Sequence, residues 1–193
     1  PFFLNVNINL IDLSLINLVK SESLFMKLMR SNIFLNENLN LIVNLKSQNV
    51  TDYRFLKNLF LKIELNQGLL NIKDTTLDLS EIASIKLLNG NFKVNENSNL
   101  FSAEFDIDIL NSDKLYKFFQ TKKKYRTKIK KINFLINYDF LTETTRIERI
   151  SIDGESGDSI QNFVRDFNAQ ENELKNRVEL RNLFNFLIES YDG

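Results

Sequence analysis

Apolar residues occupy every second position along five separate stretches of this chain, and most of the residues between them are polar. These stretches are residues 4–10, 39–45, 59–65, 105–109 and 132–138. A period of two places successive side chains on opposite faces of a β-strand, whereas a helix would scatter them around its circumference. One apolar and one polar face per strand favours antiparallel pairing, because parallel strands are usually apolar on both faces. The pattern therefore predicts a curved, twisted antiparallel sheet of roughly seven to ten strands that forms a groove.

Turn sequences separate several of these stretches. Asn66-Gln67-Gly68 and Leu88-Asn89-Gly90-Asn91 both predict tight hairpin turns, because Asn and Gly tolerate positive φ. Residues 95–99 predict a further loop, and Asp153-Gly154 is expected to end the last strand.

Helical spacing of apolar residues appears in four places. Residues 23–30 and 112–120 predict short helices, and residues 180–188 carry an amphipathic stripe. Asp158 and Gln161 have the spacing of a capping box and are expected to open a fourth helix. The fold class is therefore mainly β, or α+β by count of elements, with two C-terminal amphipathic helices and short capping helices.

The domain organisation follows from the absence of any linker rich in Pro, Gly or Ser. The 193 residues predict one domain, with a β-sheet region at 1–153 and a helical cap at 154–193. Because the chain begins at Pro1 without an initiator Met, we expect it to be a fragment of a longer chain.

The amino-acid composition excludes most of the common kinds of catalytic site. The chain has no Cys and no His, which excludes disulfides, thiolate and imidazole zinc sites, and nucleophilic sites that need a His base. Its formal net charge is zero, so there is no overall attraction to nucleic acid. We expect a protein that is not an enzyme, with no catalytic residues, no cofactor, no metal and no nucleic-acid partner.

Two acidic motifs have a chemical and a structural interpretation. Asp106 and Asp108 share one strand face and could form a general acid/base pair, but the wet face of an amphipathic strand is favoured. The acidic loop 153–158 suggests calcium, yet an EF-hand would need Gly and a carboxylate where Asp158 and Val164 stand. A strand-to-helix turn is the favoured interpretation of this loop.

A basic cluster occupies residues 114–131. Lys122, Lys123 and Lys124 are its candidates for contact with anionic lipid head groups. A solvated surface is the favoured alternative, because the nearby aromatic residues have helical spacing and are expected in the core.

Several short pieces resemble, in the same order, the C-terminal region of the AsmA-like family, which includes TamB-like and YhdP-like envelope proteins. The resemblance covers residues 33–193. Its carriers are the strand unit at Gly68, Leu87-Leu88-Asn89-Gly90, residues 105–110, residues 113–119, Arg126, the strand that ends at Asp153-Gly154, residues 180–184 and residues 190–193.

This resemblance implies an apolar-lined β-groove in the periplasm, anchored to the inner membrane by a segment absent from this chain. It implies phospholipid transport toward the outer membrane, or outer-membrane biogenesis, with phospholipid or another apolar ligand and other envelope proteins as partners. The family has no catalytic residues to carry over.

The resulting hypothesis is a non-catalytic, lipid-contacting β-groove domain. The alternative is a structural module that assists outer-membrane protein assembly without bound lipid, and a carboxylate-based hydrolase ranks third. The candidate lipid contacts are the alternating apolar residues Leu41, Val43, Leu61, Ile63, Phe105, Ile107, Phe134 and Ile136.

Overall fold

A single large β-sheet with helices packed on one side forms the body of the protein. The computed structural model describes residues 2–19, 23, 27, 36–95, 98–140, 142–170 and 177–191. Within these ranges the strands are β1 (Phe2–Leu13), β2 (Leu39–Val50), β3 (Leu56–Asn66), β4 (Leu69–Ile72), β5 (Thr75–Leu79), β6 (Ala83–Asn95), β7 (Ser98–Ile109), β8 (Lys131–Asp139) and β9 (Thr144–Ile152). The predicted mainly β fold is confirmed, and each of the five alternating stretches lies in a strand.

Four α-helices accompany the sheet in the described ranges. They are α1 (Leu15–Val19), α2 (Ser112–Phe118), α3 (Asp158–Asn168) and α4 (Arg177–Glu189), and a short 3-10 helix covers Lys123–Tyr125. The two predicted C-terminal helices and the short helix predicted at 112–120 are thus confirmed. The helix predicted at 23–30 lies outside the described residues except for Ser23 and Lys27.

The sheet has nine strands in the order β1-β2-β3-β4-β6-β7-β8-β9, with β5 pairing with β3 and β6. Every pair is antiparallel except β1 and β2, which run parallel. The expectation of a wholly antiparallel sheet is therefore wrong at its first strand. Residues 14–38 separate these two strands, which is enough chain for the crossover that a parallel pair requires. One-sided alternation favours antiparallel pairing, but it does not fix the direction of an individual neighbouring strand.

The two glycine-containing turns have different outcomes. Gln67 and Gly68 have φ of 50° and 78° and join β3 to β4 by a two-residue hairpin, as predicted. The hairpin predicted at Asn89-Gly90 is wrong, because both residues continue β6 beside a register shift in its pairing with β7. Gly90 is required there for space, since an added Cβ would lie 2.9 Å from Phe101 Cε2 and 3.1 Å from the Ile72 carbonyl oxygen.

Replacing Gly90 by Ala should therefore lower the free energy of unfolding by about 1–3 kcal/mol, the usual cost of overpacking a filled site. Urea denaturation measures the change. In a Phe101→Leu background the same replacement should cost less, because the ring that meets the new methyl group is gone. An equal cost in both backgrounds would show that Phe101 is not the obstacle.

One prediction is wrong at the junction between β9 and α3. Asp153 and Gly154 adopt positive φ and end the strand as expected. The capping box is wrong: Gly157 is the N-cap, Asp158 is already helical, and the Gln161 amide donates to the Ser156 carbonyl oxygen at 3.3 Å. The helix itself forms where predicted because Ile160, Phe163 and Phe167 bury one face of it.

The two edges of the sheet differ. At β9, the Asn168 side chain accepts a hydrogen bond from the Ile147 N–H at 2.9 Å and donates one to the Ile147 carbonyl oxygen at 2.7 Å. The amide thus occupies the place of a neighbouring strand. At the opposite edge, β1 pairs with β2 alone among the described strands and exposes 79% of Phe2 and 78% of Phe3.

Candidate functional site

All eight candidate lipid contacts lie on one face of the sheet. The register pairs Leu41 with Leu65 and Val43 with Ile63 across β2 and β3, and Phe105 with Phe134 across β7 and β8. Residues paired directly across two strands project to the same side. Extending the pairing through β4, β5 and β6 keeps that side continuous from β2 to β8. We call it the inner face.

An apolar cavity of about 400 Å³ lies between the inner face and the helices. Its floor comes from β5 to β9, and its roof comes from α2, α3 and α4. The apolar lining residues are Phe55, Leu56, Leu79, Ile85, Phe105, Ile107, Ile109, Leu115, Phe118, Phe119, Ile132, Phe134, Ile136, Ile147, Ile150, Phe163, Leu180, Leu183, Phe184 and Leu187. The remaining lining side chains, Tyr53, Thr145 and Arg177, carry polar atoms.

Aromatic packing and hydrogen bonds fix α4 over the floor. The Phe184 ring stacks on Phe119 with 4.2 Å between ring centroids. The Asn185 amide donates to the Phe119 carbonyl oxygen at 3.0 Å and accepts from the Thr121 hydroxyl at 2.6 Å. Helix α2 is held in turn by the Ser112 hydroxyl, which donates to the Ile129 carbonyl oxygen at 2.8 Å. These contacts hold α2 and α4 in place over the cavity.

The floor residues differ in burial although they all face the helices. Ile132, Ile147 and Ile150 are buried, with at most 5% exposure. The four candidates on β7 and β8 that line the cavity are only half-buried: Phe105, Ile107, Phe134 and Ile136. The helical cover leaves a gap above these four side chains.

The other four candidates do not reach the cavity. Leu61 and Ile63 belong to a second buried cluster on the same face, and Leu41 and Val43 pack half-buried against that cluster. The structure thus divides the predicted set into two groups of four.

Three rim residues escaped prediction from the sequence. Tyr53 and Phe55 follow β2 in a short connection without periodicity, and Arg177 opens α4. The one usable signal was at Arg177, which stands three residues before Leu180 and so extends the apolar stripe of α4 with a charge.

The outer face of the sheet is polar and carries ion pairs. The Asp106 carboxylate lies 2.7 Å from Lys131 Nζ and accepts a hydrogen bond from the Asn133 amide at 2.9 Å. Burial acts to raise the pKa of Asp106, but hydrogen bonds from Lys131 and Asn133 and nearby positive charges outweigh it and hold this pKa below its ordinary value. A carboxyl group that stays ionised is a poor general acid, which favours the structural interpretation of this strand.

Replacing Asp106 by Asn should lower the free energy of unfolding near pH 7 by about 1 kcal/mol, since it removes a partly exposed ion pair. A lowered native pKa contributes stability above the ordinary value of 3.8, and that stability is lost as pH falls through the native pKa. The two proteins should therefore converge in stability in acid. Asp108→Asn, at an exposed site on the same face, should cost less. A gap between Asp106→Asn and the parent that persists at low pH would contradict this.

The acidic loop is a structural turn in the chain as described. The Asp153 carboxylate accepts hydrogen bonds from the backbone N–H groups of Lys130 and Lys131 at 2.8 and 2.7 Å. Among the residues that the structure describes, no three acidic side chains are grouped so as to hold a metal ion.

The basic cluster lies away from the cavity rim. Lys122, Lys123 and Lys124 are exposed, Lys122 pairs with Glu189 at 3.1 Å, and Lys124 lies 4.4 Å from the centroid of the Tyr125 ring. Glu189 ends α4, whereas Arg177 begins it. These lysines remain candidates for contact with a membrane surface rather than with a ligand in the cavity.

If these lysines contact head groups, replacing Lys122, Lys123 and Lys124 by Gln should weaken binding to vesicles that contain phosphatidylglycerol. Co-sedimentation measures the effect, which should be largest at low salt because added ions screen exposed charges. The matched control replaces Lys46, Lys86 and Lys93, which are exposed on the outer face. Equal loss in both triple variants would show a general charge effect and not a specific site.

Comparison with protein-family models, with curated proteins and with solved structures finds no match to this chain. In the described part of the chain, no helix combines the length and the apolar character needed to span a bilayer.

Proposed function

We propose that this protein is a non-catalytic lipid-contacting domain that holds an apolar chain between the inner face and its helical cover. The observation that carries the proposal is the cavity of about 400 Å³ with its nearly complete apolar lining. Sites for small apolar molecules have volumes of roughly 300–1,000 Å³ and few polar groups. An apolar cavity of about 150 Å³ binds benzene, and an ordered water would need two to four polar partners that this lining scarcely offers.

The AsmA-like resemblance supports a wider biological proposal. On that basis we place the domain in the periplasm, anchored to the inner membrane by a segment outside this chain. Its proposed role is phospholipid transport toward the outer membrane, or the biogenesis of that membrane.

Extraction of the purified protein with organic solvent, followed by mass spectrometry, tests the proposal. Lipid should be recovered in a fixed ratio to protein after extensive washing. Protein unfolded before washing should yield none, which distinguishes cavity-bound lipid from lipid adsorbed to the surface. Lipid-free protein that also fails to take up lipid on incubation would defeat the proposal.

A second function, assembly of other envelope proteins without a bound lipid, is favoured by the edge at β1. Besides Phe2 and Phe3, this strand exposes 68% of Ile11. An exposed strand edge can take up an extended segment of another protein by strand addition. This function predicts that β1 variants lose a protein partner while lipid content stays unchanged.

A further inference from the structure

The rim of the cavity brings one positive charge against two aromatic rings. The Arg177 guanidinium carbon lies 4.6 Å from the centroid of the Phe118 ring and 5.9 Å from that of Phe55. The two rings meet edge to face at 5.1 Å, and the Arg177 side chain donates a long hydrogen bond of 3.5 Å to the Phe118 carbonyl oxygen. All three residues line the cavity. The guanidinium is thus held at the entrance by contacts with its apolar wall.

Arg177 is the one charged side chain among the described lining residues. Its contacts with rings leave N–H donors for a further acceptor, because a guanidinium has five. A planar carboxylate can accept two of them in parallel. The charge at the rim therefore favours a ligand whose chain is apolar and whose end is anionic.

Two acidic residues, Asp52 and Glu179, act on Tyr53. Burial and the charges of Asp52 and Glu179 raise the pKa of Tyr53, so its hydroxyl stays protonated. Asp52 is engaged at the start of α1, where it accepts hydrogen bonds from the Ser14 hydroxyl at 2.8 Å and from the Ile16 N–H at 2.9 Å. Arg177 is therefore the charged lining group that an anionic head group would meet.

The volume limits the apolar part of the ligand. By proportion with benzene in an apolar cavity of about 150 Å³, a cavity of 400 Å³ accommodates roughly 16 carbon atoms. That corresponds to one long acyl chain, whereas the two chains of a phospholipid would need about twice the space. A fatty acid is the simplest lipid with one chain and an anionic end, and its planar carboxylate matches the fork of the guanidinium.

We propose that the cavity binds a single fatty acid, with its acyl chain on the Ile107 and Ile136 floor and its carboxylate on Arg177. This inference rests on the proposed lipid-binding function and names a fatty acid, instead of a whole phospholipid, as the ligand that the cavity encloses. Arg177 acts as the residue that selects the head group, and the lining of β7, β8 and α4 holds the chain.

Equilibrium dialysis of lipid-stripped protein against radiolabelled palmitate and radiolabelled hexadecanol tests this assignment. The two probes share a chain length and differ in the charged end. Arg177→Gln should weaken palmitate binding by about tenfold, as expected on losing a partly exposed charge-assisted contact, and leave hexadecanol binding unchanged. Arg177→Lys should restore part of the affinity. The control Arg181→Gln lies one turn along α4, where Arg181 bonds to Gln120, and should change neither probe.

The outcomes separate the two proposals. If parent and Arg177→Gln proteins bind both probes alike, the carboxylate assignment is overturned while lipid binding stands. If the parent protein binds neither palmitate nor hexadecanol, the proposed function itself fails.

Discussion

Replacing both Ile107 and Ile136 by Phe should reduce retained lipid to background while the domain stays folded. Both side chains are half-buried and line the cavity, so the larger rings grow into space that the proposed acyl chain occupies. Filling a cavity adds packing contacts, and the free energy of unfolding should stay within about 1 kcal/mol of the parent value. Lipid content by mass spectrometry and stability by urea denaturation are measured on the same preparation.

The matched control is Leu61→Phe, on the same inner face but in the second buried cluster, where Leu61 is only 8% exposed. Overpacking this filled site should cost about 1–3 kcal/mol and leave lipid content unchanged. The double variant should lose lipid and keep its stability, whereas Leu61→Phe should lose stability and keep its lipid. If general destabilisation caused the loss of lipid, Leu61→Phe would lose lipid first. Full retention of lipid by the doubly substituted protein would place the ligand elsewhere.

Replacing Phe163 by Ala should have the largest effect on stability, a loss of about 3–5 kcal/mol in the free energy of unfolding. Phe163 is 1% exposed and forms the contact of α3 with α4 through an edge-to-face pair with Phe186 at 5.1 Å between centroids. The void left by the ring cannot collapse easily, since α3 is fixed to β9 by Asn168. Chemical denaturation followed by circular dichroism measures the change.

Its neighbour Val164 supplies the comparison, because it is half-buried on the same helix. Val164→Ala should cost less than half as much as Phe163→Ala. A loss below about 1 kcal/mol for Phe163→Ala would mean that α3 contributes little to the core.

The strands were predictable because alternation records directly which side chains face the core. Residues 105–109 and 132–138 lie in β7 and β8, and their apolar members share the inner face as the pleat requires. The amphipathic stripe of α4 was predictable for the same reason, with a period of 3.6. The sequence could not show that this stripe leaves a gap over Phe105 and Phe134, because the gap depends on how far α2 and α4 stand from the sheet.

The errors arose where a local signal competes with pairing to distant residues. Asn89-Gly90 has the residues of a hairpin turn, but β6 residues before and after it pair with β7. Gly90 is instead the position where the Phe101 ring lies close to the backbone. Asp158 has the residue type of an N-cap, but the helix begins one residue earlier than the capping box predicts, with Gly157 as its N-cap. The charge at the start of the α4 stripe marked Arg177 as unusual, but its position at the rim depends on Phe55 and Phe118, which come from distant parts of the chain.

The Asn168 amide makes the two edges of the sheet unequal in their capacity to accept another strand. Strand addition at β9 would have to displace two hydrogen bonds that already satisfy Ile147, whereas β1 presents its backbone without such a guard in the described chain. Fibril growth requires that each unit accept a strand at both edges. Because Asn168 obstructs β9 at Ile147, we expect copies that associate through their sheet edges to pair β1 with β1 and to stop at a closed pair.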